Sequence, residues 1–249
     1  MFNRIMDNRQ QADELSGSPL QTGWRSRVRA LVIGLGLVVT ALLIGTALSI
    51  PLFVLGGTSL AALTATIILS EAGYAIAGWL YLRRWFSESV PITLPTPRQG
   101  VWVIASTLLM LGIATGVSAL STMFDVQFGR VDQEFIAGNP TMVLVMAALS
   151  FVLIAPAEEY LFRGVIQQRL MRSMQPSAAI VATAFLFVIP HAIGYLGGAE
   201  GVFLLSVVPF SLAVVMGVLY ERVNNLSVPI LAHACYNAAL FLTTYVTEF

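Results

Sequence analysis

Apolar residues fall into seven long runs separated by short polar breaks, at about 30–55, 59–82, 100–123, 141–160, 177–197, 201–220 and 227–247. Each is close to the roughly 20 residues that a helix needs to cross a bilayer's hydrocarbon. Backbone polar groups in lipid must be satisfied within the protein, by a helix or a closed barrel. The alternation of every second residue that marks a membrane barrel is absent, so the runs predict helices. The fourth run continues as a helix to about residue 172, leaving the bilayer as "QQRLMR". The predicted fold class is all-α, a polytopic membrane helix bundle of about seven transmembrane helices.

The breaks divide the chain. Residues 1–29 are polar, carry five arginines and lack apolar periodicity, which predicts a cytoplasmic tail. The first apolar run is too long for a cleaved secretory signal and predicts a retained anchor. Two helices follow over 30–88. A Pro-rich linker over 89–99, within "SVPITLPTPRQG", separates them from a five-helix part over 100–249. No internal repeat is evident.

Composition sharpens this picture. The chain is 57% hydrophobic and 10% charged, against about 25% charged in soluble domains. Formal net charge is zero, so no nucleic-acid partner is indicated. The single cysteine, Cys235, excludes an intrachain disulfide and a multi-cysteine metal knuckle. All thirteen basic residues are arginine. Twelve of them, in the tail, the 83–99 loop, the fourth turn and at Arg222, fall on one side of the alternating helices. The other side has Asp125, Arg130, Asp132, Glu134, Glu200 and Glu248. The positive-inside rule then predicts a cytoplasmic N-terminus and an external C-terminus.

Against so few charges, those inside the runs stand out, since an intramembrane ionisable group is costly and a functional candidate by default. They are Glu71 in the second run, Glu158, Glu159 and Arg163 in the fourth, His191 in the fifth and His233 in the seventh. Neighbouring Glu158 and Glu159 point about 100° apart on a helix. Glu159 and Arg163 are spaced i,i+4 with the acid first, which predicts a local ion pair. Glu158 then lacks a partner on its own helix and is the candidate base. Counted from the turn at Gln175–Pro176, Glu158 and His191 stand at similar depth, so His191 is its expected partner. Pro190 predicts a local disturbance of the helix beside His191. Phe187 lies one turn away on the same face and predicts packing. His233 and Asn237 share one face of the last helix, and both can donate hydrogen bonds. Cys235 points elsewhere and reads as a structural thiol, and Glu71 as a structural acid with a partner inside the bundle.

This set suits peptide hydrolysis, which needs an activated water and donors for the tetrahedral oxyanion. Glu158 with His191 can polarise water, and His233 with Asn237 can hold the oxyanion. A second option is a divalent metal such as zinc, bound by Glu158, His191 and His233. No HExxH helix and no G-x-S-x-G elbow is present.

"EEYLFR" (158–163), "FVIPH" (187–191) and "HACYN" (233–237) resemble, in order, the EExxxR, FxxxH and HxxxN motifs of one family. It is the CPBP group of intramembrane proteases, also called the CAAX-protease and bacteriocin-processing or Abi group, to which type II CAAX prenyl endopeptidase belongs. The likeness covers about residues 141–245. It implies an intramembrane endopeptidase whose cavity opens to the cytoplasm and the membrane. Glu158 and His191 would activate water, His233 and Asn237 would form the oxyanion site, and Glu159, Arg163 and Phe187 would support them. It implies as partners membrane lipid and a protein or peptide substrate, lipidated at its C-terminus in the eukaryotic relatives. In a prokaryote the location would be the plasma membrane. Two rivals remain at this stage: a non-catalytic immunity or scaffold protein, and a proton-coupled transporter using Glu71, Glu158 and the histidines.

Overall fold

The computed structural model describes residues 23–85, 90–131, 136 and 138–249. Most of the expected tail, and Asp132 and Glu134, lie outside these residues. Seven helices follow in order: α1 (Trp24–Gly56), α2 (Leu60–Trp85), α3 (Pro97–Met123), α4 (Pro140–Met171), α5 (Pro176–Ile193), α6 (Ala199–Val223) and α7 (Ser227–Glu248). Two short strands, β1 (Phe128–Arg130) and β2 (Tyr195–Gly197), pair antiparallel with Arg130 opposite Tyr195. The first six helices are long and apolar enough to cross a membrane. The seventh is 22 residues long but is diluted by His233, Tyr236, Asn237 and several threonines.

Helix boundaries follow local chemistry. α1 begins at Trp24, within the expected tail, so Arg25, Arg27 and Arg29 lie on its first turns. Arginine is a good helix former, so the coil can begin in the polar interface before the apolar run does. α3 begins where Thr96 accepts from the Gln99 backbone N–H and the Gln99 side chain accepts from Thr96, with Pro97 at the first position. This reciprocal cap satisfies two donors that a helix start leaves free. Asn139 caps α4 likewise, accepting from Met142. α5 ends at Ile193, short of the expected 197, because Tyr195–Gly197 pairs with β1 instead.

α4 is the least regular helix and the one that carries the acids. Ser150–Ile154 and Tyr160–Gln167 are wound as π-helix, and the short α-helical stretch Ala155–Glu159 lies between them. Pro156 has no N–H to give the carbonyl one turn earlier, and its ring crowds that carbonyl; a wider turn relieves both.

α1 and α2 pack through small residues. A Cβ on Gly73 would lie 2.4 Å from the Ala41 carbonyl oxygen and 2.6 Å from the Gly45 nitrogen. α2 also meets α4: Tyr74 packs on Phe162 at 6.1 Å between ring centroids, and Gly78 leaves room for the Tyr160 ring. Both N-terminal helices therefore cover part of the bundle's main core, which runs from Ala30 through Phe162, Phe187 and Met216 to Tyr236. At one end, Ser26 at the start of α1 hydrogen-bonds Ser173 just past α4, and Leu226 before α7 donates to Pro91 in the linker. The arginine-bearing ends of these elements thus gather at the same end of the bundle.

Candidate active site

The α4 face carrying the acids meets α6 and α7 in the core. Glu159 and Arg163 are fully buried and paired, with Arg163 Nη1 at 3.0 Å from Glu159 Oε1. The i,i+4 spacing foretold this contact. Arg163 Nη2 donates to the Ala213 carbonyl on α6 at 3.1 Å, and the guanidinium carbon lies 4.8 Å from the Phe187 ring centroid. A buried guanidinium is stable only when its charge and most of its donors are met. Here one carboxylate and one carbonyl each accept a hydrogen bond and an aromatic face meets the charge, while Nε has no hydrogen-bond partner among the described residues. One turn on, Gln167 is also buried and donates to the Gly217 carbonyl at 3.1 Å. Gln167 is a site-supporting residue that the motif reading omits. A polar side chain eight residues after Glu159, on the same stripe, was the available signal.

His233 of α7 is held between the two glutamates. Its Nδ1 lies 2.9 Å from Glu159 Oε1 and its Nε2 lies 3.8 Å from Glu158 Oε2. The first is a hydrogen bond; the second is too long to be one. Glu159 therefore does more than neutralise Arg163, because the same oxygen orients the imidazole. Glu158 is 6% exposed, and its Oε2 has no hydrogen-bond partner among the described residues. Equal depth in the α4–α5 hairpin pointed to His191 as its partner, whereas the short contact in the structure runs to His233.

His191 is half-buried near the end of α5. Its Nδ1 lies 2.9 Å from the Phe187 carbonyl, and its ring stacks on Phe187 at 4.6 Å. A carbonyl only accepts, so Nδ1 carries the proton and the neutral ring keeps a free lone pair on Nε2. The expected disturbance at Pro190 takes this form: the missing proline N–H leaves the Leu186 carbonyl without its helical donor, beside the carbonyl that His191 takes. Phe187 also meets His233 at 6.1 Å and Phe162 at 4.8 Å. One ring thus touches Arg163 and both histidines, which is more than the filling expected of it.

Asn237 follows His233 by one turn on α7, is half-buried, and its side-chain amide makes no hydrogen bond among the described residues. Burial therefore grades across the cluster, complete at Glu159 and Arg163, nearly so at Glu158 and His233, and partial at His191 and Asn237. Cys235 is a half-buried free thiol. Glu71 of α2 has a buried Oε2 with no hydrogen-bond partner among the described residues. Among the described residues, no three His, Cys, Asp or Glu side chains gather into a group able to hold a metal ion.

No curated protein and no solved structure matched the chain. A family model did, that of the type II CAAX prenyl endopeptidases, Rce1-like, over residues 140–239. That stretch runs from the first residue of α4 to two residues beyond Asn237, and so contains every side chain of the cluster except Glu71. Through residues 140–239 the chain is similar to the Rce1-like type II CAAX prenyl endopeptidases.

Proposed function

We propose that the protein is an intramembrane endopeptidase that cuts a membrane-associated peptide with water activated by Glu158 and His191. The observation that carries this reading is the buried set Arg163–Glu159–His233–Glu158, which ends on a carboxylate oxygen with no hydrogen-bond partner of its own. A structural ion pair would not need the fourth member.

Glu158 Oε2 and the free Nε2 lone pair of His191 are the two proton acceptors for the water. His233 and Asn237 face the carbonyl oxygen of the scissile bond. With Nδ1 engaged by Glu159, a hydrogen bond donated from His233 Nε2 requires the doubly protonated ring. Glu158 and Glu159 on either side supply the compensating negative charge. Arg163 and Gln167 act by tying α4 to the α6 backbone, so that Glu159 can aim the imidazole. The graded burial supports access from the side of His191 and Asn237. The family supports a substrate with a lipid-anchored C-terminus. The arginine-rich end of the bundle supports a cytoplasmic N-terminus and a cavity open to the cytoplasm.

The test is cleavage of a membrane-tethered reporter peptide by purified protein in lipid. Glu158→Ala and His191→Ala should each lower the rate by about 10²–10⁴-fold, the usual worth of a positioned acid or base. Both should insert and purify normally. Full activity in both variants would end the proposal. A chelator separates the two ways of activating water: an unchanged rate favours Glu158 and His191 acting alone, and a loss of activity that zinc restores favours a metal held by Glu158, His191 and His233.

A further inference from the structure

At the arginine-bearing end of the bundle, away from the carboxylate–imidazole centre, lies a cleft of about 410 Å³. It is lined by Thr96, Arg98, Gln99, Trp102, Arg222 and Val223. Its walls are built rather than incidental. Asn225, 4% exposed in the turn between α6 and α7, accepts from the Thr93 N–H at 3.0 Å and donates to the Thr93 carbonyl at 3.1 Å and to Gln99 Oε1 at 3.3 Å. Ser227 donates to the same Thr93 carbonyl at 2.6 Å. The linker, the first turn of α3 and the end of α6 are knotted together around one buried amide, so the cleft exists before any ligand arrives.

The lining carries two guanidinium groups and no carboxylate. Arg222 is braced over Trp102 at 5.7 Å from the ring centroid. Among the described residues neither Arg98 nor Arg222 makes an ion pair. Two arginines at one cleft suit a phosphate group, which accepts their paired N–H bonds. The surface that continues from the cleft is apolar. Val101 is 65% exposed, Trp102 37%, Leu108 63% and Leu109 54%, at helical spacing along the α3 face that begins at Arg98. A phosphate bound at the arginines would therefore sit at the head of a ready-made track for hydrocarbon.

We propose that this cleft binds an anionic phospholipid, its phosphate between Arg98 and Arg222 and its acyl chains along Val101, Leu108 and Leu109. The proposal does not depend on the proteolytic reading. Basic pockets between helices at a membrane face are a recurrent way of holding such head groups.

The test follows the thermal unfolding midpoint of the full chain in neutral detergent. The additives are short-chain phosphatidylglycerol, short-chain phosphatidylcholine and inorganic phosphate at equal concentration. Phosphatidylglycerol should raise the midpoint by about 5 °C near saturation and phosphatidylcholine by much less. The R98Q/R222Q variant should lose that rise. R83Q/R84Q, which removes two arginines at the end of α2 outside the cleft lining, should keep it. Equal loss in both variants, or a full rise in R98Q/R222Q, would overturn the site. An equal rise with inorganic phosphate would overturn the lipid assignment. A readout that needs no arginine variant is quenching of tryptophan fluorescence by brominated lipid. Brominated phosphatidylglycerol should quench the protein more than brominated phosphatidylcholine, and Trp102→Phe should abolish the difference. No difference in the unmodified protein would overturn the proposal.

Discussion

Glu159 Oε1 serves two donors at once, Arg163 on its own helix and Nδ1 of His233 across the bundle. Removing its charge should therefore do two separable things. Glu159→Gln leaves a guanidinium buried without a counter-ion, which typically costs about 3–5 kcal/mol. Arg163→Met leaves the carboxylate in the same position. The double variant should lose much less than the sum of the two, because neither charge is then orphaned. A double-mutant cycle on chemical or thermal unfolding reads this directly, and additivity would show that the pair is not coupled. Activity should not recover with stability in the double variant, since the neutral amide is a weaker acceptor for the His233 Nδ1 proton than the carboxylate it replaces. Asn237 is the opposite case. Its amide makes no hydrogen bond among the described residues, so Asn237→Ala should leave the unfolding midpoint in place. If the amide holds the oxyanion, the same change should lower kcat by about 10²–10³-fold with KM little altered. A fall in the midpoint with kcat intact would give Asn237 a structural role instead.

At the scale of single elements, the sequence was most readable where chemistry is local. The apolar runs place all seven helices, and the i,i+4 rule places the Glu159–Arg163 pair, because both depend on residues within a few turns. Two features were not readable. The strands at Phe128–Arg130 and Tyr195–Gly197 pair residues far apart in the chain, and nothing in either triplet announces the other. The partner of Glu158 depends on how α7 rotates against α4, which depth along a helix does not determine. The wide turns of α4 lie between these extremes, since Pro156 signals a disturbance without saying how the backbone absorbs it. Close helix contacts are similarly half-legible. Gly73 is one glycine among 20 in the sequence, yet its α-carbon faces the backbone of α1 at both Ala41 and Gly45. A methyl group there meets backbone atoms that cannot rotate away, so α1 and α2 must separate. Gly73→Ala should cost about 1–3 kcal/mol, the range for overpacking a close contact. Gly36→Ala in α1, where a Cβ meets nothing within 4 Å, should be neutral or slightly stabilising. Thermal midpoints of the two variants decide it, and equal midpoints would mean that α1 and α2 are not held at this crossing.

On the scale of the whole molecule, the linker suggests two separable parts, but the packing joins them. The family match begins at residue 140, so α1 and α2 lie wholly outside it. Even so, Tyr74 of α2 rests on Phe162, which rests on Phe187, the ring that touches both histidines. α2 thus forms the back wall of the candidate site, with α1 packed against it through Ala41 and Gly45. Helices in lipid associate through packing and hydrogen bonds, without the hydrophobic drive that acts in water, and close small-residue contacts are their usual means. Covalent continuity through the linker should therefore be dispensable, while α1 and α2 themselves should not be. Leu94 is 93% exposed, and Thr93 before it is held by Asn225 and Ser227. A chain expressed as two pieces, 1–94 and 95–249, should reassemble in the membrane, co-purify in mild detergent and cleave the reporter peptide. The piece 95–249 expressed alone should be inactive and less stable, because Tyr74 no longer covers Phe162. If that piece alone matches the intact protein in both respects, α1 and α2 are an appendage, and the wall formed by Tyr74 and Phe162 has no part in the site.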